Sequence, residues 1–250
     1  MLIKPLAGLT RWLRALMYTH VGLSAAAALI GVYGVVEYST VQPSAVAFSE
    51  TVLPSDYLAT LIAIPQVAIG IAANIVFLVW VYRANKNLHS LSNTAMVHSP
   101  GWSVGWFFIP IANLFKPYQV LRELWVVSSR GRVSSTALVG WWWAIWLVSN
   151  FVGRLAARSV GAVADTATKI MSLDAYIFSD MLTVASALLG VAMIASIASA
   201  YAANYDETQP AAPSAGWYPD PTKRHELRYW DGHSWQAAVS THGVRSDDAV

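Results

Sequence analysis

The chain has 250 residues, of which 56% are hydrophobic and only 12% charged; soluble domains carry roughly 25% charged residues, so an ordinary water-soluble globular protein is excluded and a membrane protein expected. A formal net charge of +2 is too small to point to nucleic acid. The absence of Cys removes disulfides, thiolate metal sites and thiol nucleophiles together.

The N-terminal arm, residues 1–14, brings Lys4, Arg11 and Arg14 to the start of an apolar run at 15–36. At 22 residues this run exceeds the roughly 7–15 of a signal-peptide core, so an uncleaved membrane span is expected. Residues 37–56 carry three acids and no base, and a second run follows at 57–82. Beyond it come Arg83 and Lys86, a polar linker, and a Trp-rich stretch at 101–115 interrupted by Pro110. That stretch reaches only about 22 Å of a ~30 Å hydrocarbon core, and Pro110 breaks the backbone hydrogen-bond ladder. A re-entrant or interfacial element is therefore expected rather than a fifth span. After Lys116 and Pro117, a helix over 118–130 sets Gln119, Arg122, Glu123 and Arg130 on one face and Tyr118, Leu121, Leu124 and Trp125 opposite, the pattern of an amphipathic surface helix.

A third apolar run at 136–153 opens with Trp141, Trp142, Trp143 and Trp146, which together with Trp102 and Trp106 read as an aromatic belt at the membrane interface. A fourth run occupies 175–203. Few polar residues interrupt the runs. Asn74 and Asn150 are expected to hydrogen-bond between helices, and Asp180 stands where an ion pair with Arg154 or Arg158 is geometrically plausible.

Charge placement orders these runs. With the N-terminus inside, the cytoplasmic side receives Lys4, Arg11 and Arg14, then Arg83, Lys86, Lys116, Arg122, Arg130 and Arg132, then Lys223, Arg224, Arg228 and Arg245: 13 of the 16 basic residues. Counting 101–115 as a span would divide the bases evenly, so the positive-inside rule favours four spans with both termini cytoplasmic.

Phe77, Trp80, Tyr82, Arg83, Ala84, Asn87 and Leu88, followed by Pro100, Trp102, Gly105, Trp106, Phe108, Pro110, Asn113, Leu114, Pro117, Tyr118, Glu123 and Trp125, form a pattern that resembles the bacterial membrane family Domain of Unknown Function 4328. The resemblance covers roughly residues 61–200 and implies a multi-pass membrane protein; it carries no activity, ligand or catalytic residue. In the tail, Gly216, Trp217, Tyr218, Asp220 and Pro221, then Arg228, Tyr229, Trp230, Asp231, Gly232 and Trp235, resemble the short Domain of Unknown Function 2510, with Gln236 where that pattern usually has Thr.

The tail divides into a Pro- and Ala-rich linker at 204–215, an aromatic mini-domain at 216–236 and a segment at 237–250 expected to be disordered. Asp231-Gly232 signals a type I′ hairpin, and Trp217, Trp230 and Trp235 with Pro219 and Pro221 are expected to form a very small aromatic core. Trp217, Tyr229, Trp230 and Trp235 are candidates for holding a Pro-rich peptide; an inert cap or spacer is the competing reading.

No protease, hydrolase, P-loop or dinucleotide motif occurs, and the six His are scattered, so neither enzyme activity nor a metal or cofactor is expected. The candidate functional element comprises Arg83, Asn87, Trp102, Trp106, Pro110, Asn113, Tyr118 and Glu123. Arg83 is expected to meet lipid phosphate or the carbonyls freed near Pro110. The chain thus reads as an all-α integral protein of the cell membrane with four transmembrane helices, a re-entrant or interfacial aromatic element and a hairpin-like tail. Its partners are the lipid bilayer and, through the tail, a cytoplasmic protein or peptide, with no nucleic acid. The expected role is a non-enzymatic scaffold or partner-recruiting module, and the alternative is a transporter or channel for a small solute or lipid.

Overall fold

Sequences that are apolar on every side build the three longest helices of the computed structural model, which describes residues 5–40, 52–92, 94–159, 165–205 and 215–248. They are α1 (Ala7–Thr40), α2 (Pro54–Leu91) and α6 (Thr166–Asn204), and each is long and apolar enough to cross a membrane. Between α2 and α6 lie α3 (Pro100–Gly105), 3-10 turns at Trp106–Phe108 and Ala112–Leu114, α4 (Lys116–Ser128) and α5 (Ala137–Ser159). At 23 residues α5 is also long, but its Trp residues, Asn150 and Arg154 lower its mean hydropathy and it falls outside the three.

Local chemistry sets several boundaries. Pro54 opens α2, where a missing N–H costs nothing, and the Asp56 carboxylate accepts from the Leu53 amide at 3.0 Å. Pro65 sits inside α2 without ending it. Asp165 caps α6 by accepting from the Thr168 amide at 2.8 Å. The helices overrun the apolar runs: α1 begins within the N-terminal arm, and α2 continues as helix through Arg83 and Lys86 to Leu91.

The helices pack in the order α2, α1, α6, α5, with α3 to α4 closing over one end against α2, α5 and α6. Close approach has local reasons: a Cβ on Gly31 would lie 2.7 Å from Ile177 of α6. At the closed end Arg83 donates to the Pro5 carbonyl at 3.2 Å and Arg132 to Asn204 Oδ1. At the other end Lys169 pairs with Asp56 at 2.8 Å, and Ser55 donates its amide to Glu37 at 3.0 Å. Outward faces are apolar, with Leu29, Leu61, Ile64, Phe151 and Met181 between 61% and 72% exposed. Such a continuous apolar surface suits a lipid solvent.

Several expectations are corrected by this packing. The apolar face of α4 is not spent on a membrane surface: Val120, Leu121, Leu124 and Val127 join the protein core beside Ile197 and Tyr201. The Trp cluster of α5 is not a belt, because Trp142 and Trp143 are buried and only Trp141 is largely exposed. Asn74 and Asn150 bond within their own helices, to the Gly70 carbonyl at 3.0 Å and the Trp146 carbonyl at 2.7 Å. Asp180 pairs with neither Arg154 nor Arg158 and instead accepts from Gln66 at 2.8 Å, a residue of α2 reached across the bundle. Residues 41–51 of the expected exterior loop and 206–214 of the linker lie outside the described residues.

The tail is a four-stranded antiparallel meander of β1 (Gly216–Pro219), β2 (Leu227–Trp230), β3 (Trp235–Thr241) and β4 (Val244–Asp247). Residues 237–248, expected to be disordered, thus supply most of β3 and all of β4. The sheet's interior is ionic rather than aromatic. Arg228, 3% exposed, donates to Asp220 at 3.0 Å, to the Gln236 carbonyl at 3.2 Å and to Asp248. Val239 packs on the same side, opposite Arg228 in the ladder. Asp231-Gly232 does not form a two-residue type I′ turn: Trp230 pairs with Trp235 across a four-residue loop, and the Asp231 carboxylate accepts from the amides of His233 and Ser234. The tight turn is at His242 and Gly243, both at positive φ (52° and 79°) between paired Thr241 and Val244.

Candidate functional site: a cavity closed by an aromatic element

Because α2 and α5 stand at opposite ends of the helix order, they face each other across the bundle instead of packing along their length. Between them lies a cavity of about 660 Å³, bounded by α1, α2, α5, α6 and the 3-10 turns. Pockets for small ligands span ~300–1,000 Å³, so its size suits a small molecule. Asn74 of α2 and Asn150 of α5 both line it and are both solvent-accessible, so its mouth opens sideways between these two helices.

One end is an aromatic floor built from three segments. Phe107 of the first 3-10 turn packs edge-on against Phe77 of α2 (5.8 Å between centroids) and Trp143 of α5 (6.3 Å). Phe77 also meets Trp142 at 5.8 Å, and Trp143 stacks on Trp146 at 4.7 Å. These offset and edge-on geometries match the ring quadrupoles. Trp143 donates its indole N–H to the Leu114 carbonyl at 2.9 Å, which satisfies a backbone acceptor that the broken turn leaves free. The close fit of α6 here depends on Gly190, where a Cβ would lie 2.7 Å from Met17 Cε and 2.8 Å from Trp142 Nε1.

The remaining wall mixes apolar residues such as Leu13, Met17, Leu78 and Ala187 with polar ones. Ser149 and Thr183 share a hydrogen bond at 3.0 Å between α5 and α6. Among the described residues His20 Nδ1 and Asn113 Oδ1 are buried without a hydrogen-bond partner, and both residues line the cavity. Arg154 is the one charged side chain among the described lining residues.

The residues expected to form the site are dispersed by the fold. Asn113 alone of the eight lines the cavity. Trp102 and Trp106 stack on each other at 4.5 Å, with Lys116 5.4 Å above the Trp106 ring. Pro110 is exposed between the two 3-10 turns, and Tyr118 packs against Gly140 of α5. Asn87 is buried and donates to the Tyr201 hydroxyl at 3.1 Å, tying α2 to α6. Arg83 reaches the N-terminal arm and not the carbonyls near Pro110.

Glu123 has a clear mechanical role. It accepts from the Val97 amide, the His98 amide at 3.2 Å and His98 Nδ1 at 2.7 Å, while Asn85 Nδ2 holds the His98 carbonyl at 3.0 Å. This clamp sets where α3 starts, and α3 leads directly into the aromatic closure. Sequence reasoning missed Asn85 and His98 as a pair, although Asn85 falls among the apolar Val81, Ala84 and Leu88 on α2. It also missed Phe77, Trp142 and Trp146 as lining and Arg154 as the lone charge.

In the tail, Trp217 pairs with Tyr229 on one face of the sheet, while Trp230 and Trp235 pair on the other. The four candidate residues therefore do not make one peptide groove. Trp217 lies under the Arg245 guanidinium at 5.3 Å, and Trp235 meets Tyr218 and Trp230 edge-on. Among the described residues no cluster of three or more His, Asp or Glu is arranged to hold a metal.

Comparison with known proteins agrees with this division of the chain. Residues 44–199 match the family described as Domain of unknown function (DUF4328), and residues 215–248 match Protein of unknown function (DUF2510). No curated protein and no solved structure matches the chain significantly. The chain belongs to the DUF4328 family and carries a DUF2510 tail that coincides with the four-stranded sheet.

Proposed function

We propose that this DUF4328 protein is a four-span, non-enzymatic membrane protein that takes a lipid-like amphipathic molecule into the cavity between α2 and α5 and carries or presents it. The observation that carries the reading is the cavity itself: an aromatic floor, a wall of mixed apolar and polar residues and a mouth that opens sideways between two helices. In a bilayer such a mouth faces the acyl chains, so an amphiphile enters without leaving the membrane.

The fourth span is α5, whose 23 residues reach about 34 Å. Its outer face bears Trp141, Phe151 and Leu155, all exposed. The closed end is cytoplasmic on the positive-inside rule, since Arg83, Lys86, Lys116, Arg122, Arg130 and Arg132 gather there. Exposed Phe108, Ile111, Leu114 and Phe115 support immersion of the aromatic element's tip in the lipid. Its irregular backbone is of the kind tolerated there, because it packs on protein and lines a cavity.

Binding of a fluorescent monoacyl amphiphile to the purified full chain tests the reading. Asn74→Trp fills the mouth and is expected to abolish saturable binding, and Asn113→Leu to weaken it. Unchanged binding in Asn74→Trp would refute the cavity as the site. A second reading, recruitment of a cytoplasmic partner, is favoured by the corner of Tyr218, Trp230 and the 37%-exposed Trp235. Truncation at Pro210 that leaves all co-purifying proteins unchanged would remove it.

A further inference from the structure

We infer that the molecule taken into the cavity is anionic: an amphiphile whose acidic group, carboxylate or phosphate, pairs with Arg154 while its chain lies on the aromatic floor. This rests on the cavity reading above and names the ligand's chemical class.

The first argument is charge. Arg154 lines the cavity and, among the described residues, has no ion-pair or hydrogen-bond partner and no Asp or Glu beside it in the lining. The nearest acid in the chain to a lining residue is Asp180, adjacent to Ser179, and its carboxylate is committed to Gln66 at 2.8 Å. The Arg154 guanidinium is exposed near the C-terminal end of α5 and is open to an acidic group of a ligand. Its planar fork fits a carboxylate or a phosphate.

The second argument is placement. Trp142, Trp146, Asn150 and Arg154 all line the cavity along one stripe of α5 at four-residue spacing. From Trp142 to Arg154 the stripe runs about 18 Å, over half of a ~30 Å core, so a charge at one end and a chain-length apolar track toward the other are built into one helix. Asn150 stands one turn from Arg154 with its N–H tied to the Trp146 carbonyl, which leaves its amide oxygen as an acceptor at the mouth. A ligand hydroxyl near the acidic group fits that acceptor.

Equilibrium binding to the full chain in nanodiscs of neutral lipid separates the possibilities, with oleate and oleoyl lysophosphatidate as anionic probes, monooleoylglycerol as the neutral one and inorganic phosphate as the chainless one. The wild type is expected to prefer the anionic probes by about tenfold or more, the worth of a charge-assisted pair. Arg154→Gln should erase that preference, and Arg154→Lys should keep part of it. Arg158→Gln, one turn further and outside the lining, should behave as wild type. Equal binding of neutral and anionic probes to the wild type, or a preference that survives Arg154→Gln, overturns the anionic assignment and leaves the cavity reading intact. Phosphate that displaces lysophosphatidate as well as oleate does overturns the amphiphile in favour of a free anion. No saturable binding of any probe overturns both readings.

Discussion

Cutting the Glu123 clamp should loosen the closure without unfolding the bundle. In Glu123→Ala three hydrogen bonds are lost, from the amides of Val97 and His98 and from His98 Nδ1. Val97 is 86% exposed, so its amide turns to water at little cost, whereas His98 is 8% exposed and its amide is stranded. An unmet buried donor costs about 1–3 kcal/mol, so stranding the His98 amide sets a local cost of about 2 kcal/mol. That raises the open population of the linker about 30-fold. Hydrogen exchange read by mass spectrometry should show this acceleration at His98 and through α3, with the amides of α1 and α6 unchanged. Glu123→Gln, which keeps one well-placed acceptor, should fall between. Wild-type exchange at His98 in Glu123→Ala would refute the clamp, and acceleration throughout the bundle would show that Glu123 supports the whole fold instead.

Gly190→Ala places a Cβ 2.7 Å from Met17 and 2.8 Å from Trp142; Met17 can move but the packed indole cannot, so a loss of about 1–3 kcal/mol is expected as a lowered melting temperature in detergent. In the tail, burial alone would raise the Asp220 pKa, but the Thr222 hydroxyl and amide, the His225 amide and the Arg228 guanidinium outweigh it and hold the carboxyl well below the usual range. Asp220 thus favours the folded sheet at any pH above its unfolded value of ~3.9, and this contribution drains away as pH falls through the folded value. Near-UV circular dichroism of residues 215–248 should be flat from neutral pH to about 5 and decline below about 4, and Asp220→Ala should lose the signal even at neutral pH. The chain has no Cys, so Ser134→Cys and Ala167→Cys, both at exposed positions at opposite ends of the bundle, report topology: labelling of intact cells is expected only at the second, and labelling at the first would overturn the four-span arrangement.

Much of the fold is legible because apolar runs and Pro residues act locally. The runs at 15–36, 57–82 and 175–203 lie inside α1, α2 and α6, and the break around Pro110 falls between two 3-10 turns. Composition could not say which way an aromatic residue faces. Trp142 and Trp143 turn inward because Phe77 and Phe107, from distant segments, give them edges to pack on. The tail misled for a related reason: its aromatic residues look like a core, yet a buried Arg228 between Asp220 and Asp248 fills the interior and the rings spread over both faces.

By itself, then, the sequence determined the three long apolar helices and the break near Pro110, since hydropathy and backbone sterics are properties of neighbouring residues. It also set the uneven placement of basic residues on which the proposed orientation rests. Only tertiary structure decided that α2 and α5 stand apart, because helix order follows from which faces admit close approach, as Gly31 does for α6 against α1. That separation makes the cavity, and it leaves Arg154 as the single charged side chain among the described residues that line it. Neither fact is written at any one position, because each depends on residues brought together from helices far apart in the chain.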